Sequence, residues 1–324
     1  MLSAHVGPKD LAGLGGWFFT LPQGRASLLF ALLAGIGVSL MAKSTSGNFR
    51  EKMLWRALIL LILGLTLQMP DHGIAVIIQH YAVLFLLGIW MTNASSRTLW
   101  FLAVSGMTIG SLIFLHGKML LPEYFNRHPV AFGDPLWQIP LRLMVTGAYP
   151  VITWITPFAA GILIARLDLR SDEVQKRLMR WGFAMFAGSI VVSLGLEIAL
   201  NYPSNQNYHQ LIYIRPHDQL PLWLMEGIGA AILVLGLALL VGTHWPFHTR
   251  LLADCGRFAL SLYTLQLLAF ALAATHLKAN SLATGLLHTV GLILASFLLT
   301  WVIRKFFSNG PIELLLRPPP NFTR

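Results

Sequence analysis

The first long apolar run of the chain opens with Gly24-Arg25-Ala26-Ser27-Leu28-Leu29-Phe30-Ala31-Leu32-Leu33-Ala34-Gly35, which sets a fixed positive charge at its start. An arginine at the edge of a lipid-embedded segment is costly unless its side chain reaches the interface or meets an anion. His5 lies a short distance upstream. We therefore expect Arg25 and His5 to lie on one side of a membrane and to help line one polar cavity.

The composition is that of a membrane protein. The chain has 324 residues, of which 56% are hydrophobic and 11% are charged, whereas about 25% of the residues in soluble domains are charged. Its net charge of +10 comes from lysines and arginines in short loops between apolar runs, which points to lipid headgroups and away from nucleic acid. The single cysteine, Cys255, excludes an internal disulfide and a cysteine-based zinc site. We predict no metal site.

Nine apolar runs are long enough to cross a bilayer, which takes about 17 to 25 residues. Helices are the expected form, because a backbone in lipid must satisfy its polar groups within its own segment. These runs predict an all-α polytopic bundle that forms one integral-membrane domain over 1–317, followed by a disordered, proline-rich tail over 318–324. The runs are 26–42, 54–69, 73–91, 98–115, 149–165, 181–200, 222–241, 258–275 and 283–303.

Most lysines and arginines fall in one set of alternate loops, which the positive-inside rule places in the cytoplasm together with the C-terminus. Nine crossings then leave residues 1–23 outside, where 1–6 is an apolar segment too short to span. We therefore expect a first helix upstream of this sequence, which would make ten spans and Met1 an internal methionine.

Polar residues within and beside the apolar runs indicate a site, because an ionisable group in lipid is by default a functional candidate. At about 1.5 Å of rise per residue, those in the runs lie within roughly two turns of the outer ends of their helices. The catalytic candidates are His5, Arg25, His217 and Glu226, and the substrate-binding candidates are Gln79, His80, Tyr81, Thr153 and Trp154.

Each candidate also has a purely structural explanation. Arg25 can snorkel to the interface, and Glu226 can neutralise Arg25 or Arg142. Buried histidines such as His80 and His288 can be hydrogen-bonded between helices. The inner basic loop can bind the phosphates of a cytosolic donor or simply follow the positive-inside bias. The basic residues of that loop and of the helix after it are Lys43, Arg50, Lys52 and Arg56.

The run over 24–35 resembles the second-helix signature of bacterial membrane proteins related to the catalytic domain of heparan-alpha-glucosaminide N-acetyltransferase and to the YeiB-type proteins. Members of this family usually carry the signature Asp-x-x-Arg-Gly on the first helix. The resemblance implies that this sequence begins downstream of that signature. The chain reads His217-Asp218-Gln219 where members commonly read His-Ser-Gly. Further similar blocks follow in order along nearly the whole chain, at 78–87, 147–154, 161–169, 256–263 and 310–317.

The resemblance implies acyl transfer across a bacterial inner (plasma) membrane. An acetyl or other acyl group would pass from cytosolic acetyl-CoA, or another acyl-CoA, to an exoplasmic hydroxyl or amine of a glycan or lipid. His5 resembles the participating histidine, and an imidazole suits the role of general base or acyl carrier near neutral pH. Arg25 would stabilise the oxyanion. The phosphates of the donor would bind Lys43, Arg50, Lys52 and Arg56.

Two other functions fit the same residues. A lipid or glycan transporter would use an outer-leaflet polar cavity without acyl-CoA, and a non-enzymatic assembly partner would leave the polar residues paired and sealed. Membrane lipid is an expected partner in each case. The sequence leaves the acceptor, the acyl length and the oligomeric state open, including a homodimer.

Overall fold

The computed structural model describes residues 2–8, 14–45, 47–200, 207–277, 279 and 281–319. Throughout these residues the regular secondary structure is helical and no β-strand forms, which confirms the predicted all-α class. Pro318 and Pro319 have no regular secondary structure. The rest of the predicted tail, and Met1, lie outside the described residues.

Each of the nine predicted apolar runs contains helix in the structure. Two π-helical segments, Gly106–Gly110 and Arg142–Thr146, and one 3₁₀ helix, Asn207–Ile212, add to the α-helices. The α-helices of the described residues are α1 (Leu2–Val6), α2 (Leu14–Thr20), α3 (Arg25–Ser44), α4 (Phe49–Gln68), α5 (Ile78–Met91), α6 (Ser96–Ser105), α7 (Ser111–Leu120), α8 (Gln138–Leu141), α9 (Val151–Ile164), α10 (Asp172–Leu200), α11 (Pro221–His244), α12 (Pro246–Arg257), α13 (Ala259–Leu277), α14 (Leu282–Ile303) and α15 (Pro311–Leu315).

The helix lengths and compositions are compatible with a multi-pass membrane protein. Within the described ranges, five helical stretches are long and apolar enough to cross a membrane, or up to seven if each of two bent pairs is one span. One pair bends by 56° before α9 and the other by 65° between α12 and α13. The predicted count of nine therefore stays a prediction. The five stretches are Phe18–Ser44, Ser96–Leu120, Asp172–Leu200, Pro221–His244 and Leu282–Ile303.

The predicted run 73–91 is longer than the helix that forms there. α5 begins only at Ile78, because the chain before it is irregular and Gly73 adopts a left-handed φ of 66°. Glycine is the residue that tolerates this conformation without a steric penalty. α4 and α5 are joined by this turn, and α5 is 14 residues long.

α3 is the central helix, and it packs against α5, α9 and α11. Glycines make its contact with α9 close: a Cβ at Gly35 would overlap the carbonyl oxygen of Phe158, and one at Gly161 would overlap that of Leu32. Lipid gives helices little hydrophobic reason to associate, so close van der Waals contact through small residues supplies much of the attraction.

α10 and α11 pack together in the same way. A Cβ at Gly229 of α11 would lie 2.6 Å from the backbone nitrogen of Phe186 on α10, and one at Gly182 of α10 would collide with the backbone of Leu233. Because α11 also contacts α3, the two glycine-packed pairs form one continuous group of four helices.

The C-terminal segment is tied to the start of α13. The carboxylate of Glu313 accepts hydrogen bonds from the backbone nitrogens of Leu260 (2.7 Å) and Ser261 (3.1 Å), and from the Ser261 hydroxyl. A carboxylate at a helix N-terminus satisfies donors that the helix leaves open and interacts favourably with its dipole. Two of the blocks that carried the family resemblance, 256–263 and 310–317, are therefore in direct contact.

Gly35→Ala should destabilise the protein, whereas Gly37→Ala should not. Both glycines lie in α3, but a Cβ at Gly37 meets nothing within 4 Å. Overpacking costs about 1 to 3 kcal/mol, while alanine gains about 0.5 to 1 kcal/mol over glycine in a helix interior. In detergent, the apparent melting temperature should fall for Gly35→Ala and stay level or rise for Gly37→Ala. Equal shifts would contradict the close α3–α9 packing.

Candidate active site

A cavity of about 530 Å³ lies at the N-terminal end of α3. Two of the catalytic candidates, His5 and His217, both line it although they are far apart in the sequence. We call it the histidine cavity. Its lining residues are His5, Pro22, Gln23, Gly24, Ala26, Ser27, Gly73, Ile74, Ala75, Arg127, Ala148, Tyr149 and His217.

His5 reaches the cavity from α1, which packs on α14. The carbonyl of Val6 accepts a hydrogen bond from the backbone nitrogen of Ala279 (3.1 Å). The His5 ring meets the Phe270 ring nearly edge to face, with centroids 6.1 Å apart. The position of His5 therefore depends on α14, on Ala279 and on Phe270 of α13.

His217 reaches the cavity from the loop before α11, where it adopts a left-handed φ of 65°. Its ring lies between those of Tyr149 and Trp223, each with a centroid 6.0 Å away. Burial, together with the Arg127 guanidinium, lowers the pKa of His217 to about 4, although Asp218 opposes both effects. The imidazole is therefore neutral near pH 7, with one ring nitrogen unprotonated.

Gln219 holds this loop in place. Its side-chain oxygen lies 3.0 Å from the Thr153 hydroxyl and accepts from the Trp154 indole (3.0 Å), and its amide donates to the carbonyl of Ala148 (3.0 Å). Its backbone carbonyl accepts from the Ser111 hydroxyl (2.6 Å). These bonds stabilise a left-handed φ of 60°, which a non-glycine residue adopts only when its surroundings impose it. Thr153 and Trp154, predicted to bind substrate, thus contact Gln219.

Arg25 and Glu226 form an ion pair, with Nε and Oε1 2.6 Å apart. Glu226 is fully buried, and the Nη1 of Arg25 also donates to the carbonyl of Leu21 (2.8 Å). The histidine cavity is lined by the neighbours Gly24 and Ala26 but not by Arg25 itself. The expectation that Arg25 and His5 line one cavity is corrected: the guanidinium turns towards α11 because the buried carboxylate lies there.

Two other arginines of this end, Arg127 and Arg142, are paired as well. Arg142 binds Asp134 (2.5 Å), so it is not the partner of Glu226. Arg127, which lines the histidine cavity, binds Asp218 (2.5 Å). Arg127 is therefore the cation that the structure places beside His217.

Gln79, His80 and Tyr81 are packed at the start of α5 behind the cavity. Gln79 is fully buried and donates to the carbonyl of Val130 (3.4 Å). His80 is buried, and its ring meets Tyr149 edge to face with centroids 5.6 Å apart. Among the described residues, three polar atoms of this group have no hydrogen-bond partner: both ring nitrogens of His80 and the hydroxyl of Tyr81. Tyr149 thus connects this buried polar group with His217.

The predicted donor-binding residues lie at the other end of α3. Lys43 is 18 residues from Arg25, which corresponds to about 27 Å along a helix. Its ammonium donates to the carbonyl of Ala165 (2.6 Å). Arg50 is exposed and Lys52 half-buried, while the Nε of Arg56 is buried with no hydrogen-bond partner in the described part of the chain.

The described residues contain no group of three or more His, Cys, Asp or Glu side chains placed to hold a metal ion. The chemistry that the histidine cavity offers is that of two imidazoles, a guanidinium and a phenol. Such groups transfer protons and stabilise a developing negative charge.

Three residues of the site were missed in the sequence analysis: Arg127, Tyr149 and Gln219. Tyr149 precedes Pro150 in one of the family-like blocks, and Arg127 stands in a loop rich in aromatic, His and Pro residues, so a signal was present for both. Nothing in the sequence marks Gln219, because its importance comes from a left-handed backbone and from partners on three other segments.

Residues 165–318 match a protein family described as "Protein of unknown function (DUF418)". Comparison with curated proteins and with solved structures found no match. The matched stretch contains His217, Gln219 and Glu226, whereas His5, Arg25 and Tyr149 lie outside it. The histidine cavity is therefore built from both parts of the chain.

Gln219→Met should lower the stability far more than Gln210→Met. The first change keeps the side-chain volume but leaves the Trp154 indole and the Ala148 carbonyl unpaired, and a buried unsatisfied group costs about 1 to 3 kcal/mol. Among the described residues, the half-buried side chain of Gln210 makes one hydrogen bond, accepted from the ammonium of Lys118 (3.2 Å). Thermal unfolding in detergent compares the two variants, and similar melting temperatures would contradict the clamping role of Gln219.

His217 should make the stability depend on pH. An unfolded histidine has a pKa near 6.5, above the value of about 4 in the fold, so the unfolded chain binds more protons between these values. The contribution of neutral His217 is complete above about pH 6.5 and is lost as the pH falls towards 4.

His217→Asn removes this titration, and asparagine tolerates a left-handed backbone. The melting temperature of His217→Asn should therefore fall less between pH 7 and pH 4.5 than that of the wild type. His248→Asn, at an exposed position in α12, should follow the wild type. If the melting temperature of His217→Asn fell with pH as steeply as that of the wild type, the pKa of His217 would not be depressed.

Proposed function

We propose that the chain is an integral-membrane acyltransferase that moves an acetyl or other acyl group from cytosolic acyl-CoA to a hydroxyl or amine of an exoplasmic glycan or lipid. The observation that carries this proposal is that His5 and His217 share one cavity with Arg127 and Tyr149. The family resemblance of the sequence blocks supports it.

The cavity residues suit both steps of acyl transfer. In the first, the unprotonated imidazole nitrogen of His5 attacks the thioester carbonyl and the C–S bond breaks. The N–H proton of the same imidazole passes to the departing sulfur, so that CoA leaves as the thiol and His5 carries the acyl group as a neutral acyl-imidazole. In the second, neutral His217 takes the proton of the acceptor as its oxygen or nitrogen attacks the acyl carbon. The C–N bond to His5 breaks, and the proton passes to that nitrogen, which restores both histidines.

Arg127 is better placed than Arg25 to stabilise the oxyanion. Both arginines are ion-paired, Arg127 with Asp218 and Arg25 with Glu226, but Arg127 lines the cavity and Arg25 does not. A donor aimed at an oxyanion is worth about 3 to 4 kcal/mol in comparable sites.

The donor would bind at the opposite end of the bundle. Arg50, Lys52 and Arg56 supply positive charge there, and the buried, unpartnered Nε of Arg56 would gain most from an anion. About 27 Å of helix separate the two ends. The proposal therefore requires a path along α3 for the pantetheine arm or the acyl group.

A transporter of a lipid or glycan is the second candidate. Two further cavities lie beside Arg25, and one of them shares Pro22 and Ala26 with the histidine cavity. An apolar cavity next to a polar one is an arrangement that a lipid carrier would use. A carrier would require no acyl-CoA.

The enzyme proposal predicts exchange of labelled CoA into acetyl-CoA by the purified protein, because an acyl-histidine can be attacked by CoA in the reverse of the first step. No acceptor has to be known for this measurement. His5→Ala should abolish exchange, and His248→Asn should leave it unchanged. With lipid and glycan extracts as acceptors, His217→Asn should reduce the release of free CoA by about 100-fold or more. Neither exchange nor release in the wild type would overturn the enzyme proposal and favour the transporter.

A further inference from the structure

A groove on the outer side of Arg25 runs between α3, α10 and α11. It consists of two cavities, of about 310 and 400 Å³, that share the residues Leu21, Arg25 and Phe186. We call them the polar and the apolar compartment. Because three residues line both, the two compartments are adjacent and meet at Arg25.

The groove opens towards the surface that lipid would cover. On its rim, Leu194 of α10 is 54% exposed and Val234 of α11 is 48% exposed. Aliphatic side chains that are about half-exposed on long apolar helices are expected at a lipid-facing surface. Apart from Arg25, the apolar compartment is lined by apolar side chains, among them Leu29, Ala230 and Val234.

The polar compartment carries both signs of charge. Arg25 and Glu197 both line it, together with Ser193 and Thr20. Glu197 is half-exposed, and one of its oxygens accepts from the Ser193 hydroxyl (3.2 Å). Arg215, in the loop beside it, lies over the ring of Tyr213 at 4.8 Å and does not line the compartment.

The charge balance selects among lipid headgroups. Glu226 neutralises Arg25, and Glu197 adds a negative charge, so the site offers no net positive charge to an anionic lipid. Within the described residues, the Nε of Arg25 donates to Glu226, the Nη1 donates to the carbonyl of Leu21, and the Nη2 makes no hydrogen bond. Of the five N–H donors of the guanidinium, three therefore remain for phosphate oxygens, two of them on Nη2. The carboxylate of Glu197 remains for a cation.

We propose that this groove binds a zwitterionic phospholipid with a primary ammonium, of the phosphatidylethanolamine type. The phosphate accepts a hydrogen bond from the Nη2 of Arg25, the ammonium donates to Glu197, and an acyl chain fills the apolar compartment. A choline headgroup has no N–H donor for Glu197, and a glycerol headgroup has no cation. This site is separate from the proposed acyl-transfer chemistry and does not depend on it.

The bound lipid would lie against the histidine cavity. Pro22 and Ala26 line both that cavity and the apolar compartment. Lipid binding therefore has a direct way to affect the position of these residues, whatever reaction or transport takes place next to them.

Native mass spectrometry of the purified chain, after addition of phosphatidylethanolamine, phosphatidylcholine or phosphatidylglycerol with identical acyl chains, tests the proposal. Wild type should retain the ethanolamine lipid about tenfold better than either of the others, which is the expected effect of one charge-assisted hydrogen bond. Glu197→Gln should reduce the ethanolamine preference to the level of choline. Glu197 is half-exposed, so this variant should fold normally.

A second pair of variants tests the apolar compartment. Ala230→Phe fills it and should reduce retention of all three lipids, whereas Ala238→Phe, at an exposed position of the same helix outside the groove, should not. Equal retention of the three lipids, a preference for phosphatidylglycerol, or no effect of Glu197→Gln would overturn the proposal. These outcomes are independent of CoA exchange, so each proposal can fail without the other.

Discussion

The ion pair between Arg25 and Glu226 is the contact on which this end of the bundle depends. It joins the first turn of α3 to the early part of α11, each of which belongs to a glycine-packed helix pair. Removing one partner of such a pair leaves an uncompensated buried charge, which destabilises a fold far more than replacing both partners by apolar residues. Arg25 lines both compartments of the groove, and its neighbours Gly24 and Ala26 line the histidine cavity, so the pair lies next to both.

The sequence predicted the elements well and their partners only in part. Long apolar runs indicate helices because a lipid-exposed backbone has few other ways to satisfy its polar groups. Each of the nine predicted runs contains helix in the structure. The pairing of Glu226 with Arg25 was one of two choices that the sequence left open. Side-chain direction was not accessible: Arg25 turns away from His5 because a buried carboxylate on a distant helix attracts it. The role of Gln219 was equally hidden, since a left-handed backbone and three separate partners leave no pattern in one sequence.

The stretch that matches a known family supplies only part of the site. His217 and Glu226 lie within it, while His5, Arg127 and Tyr149 come from the preceding half of the chain. The two halves meet at the N-terminal end of α3, where a neutral imidazole, a paired arginine and a phenol surround one volume. A chemical role assigned to either half therefore has to account for the side chains that the other half contributes.

The two histidines are attached to different parts of the bundle. His217 is held through Gln219 to α9, at the glycine-packed centre, whereas α1 carries His5 on α14, whose membrane-length stretch is only 11% buried. The width of the histidine cavity is therefore set jointly by the packing of α1 on α14 and by the contacts of Gln219 in the loop before α11.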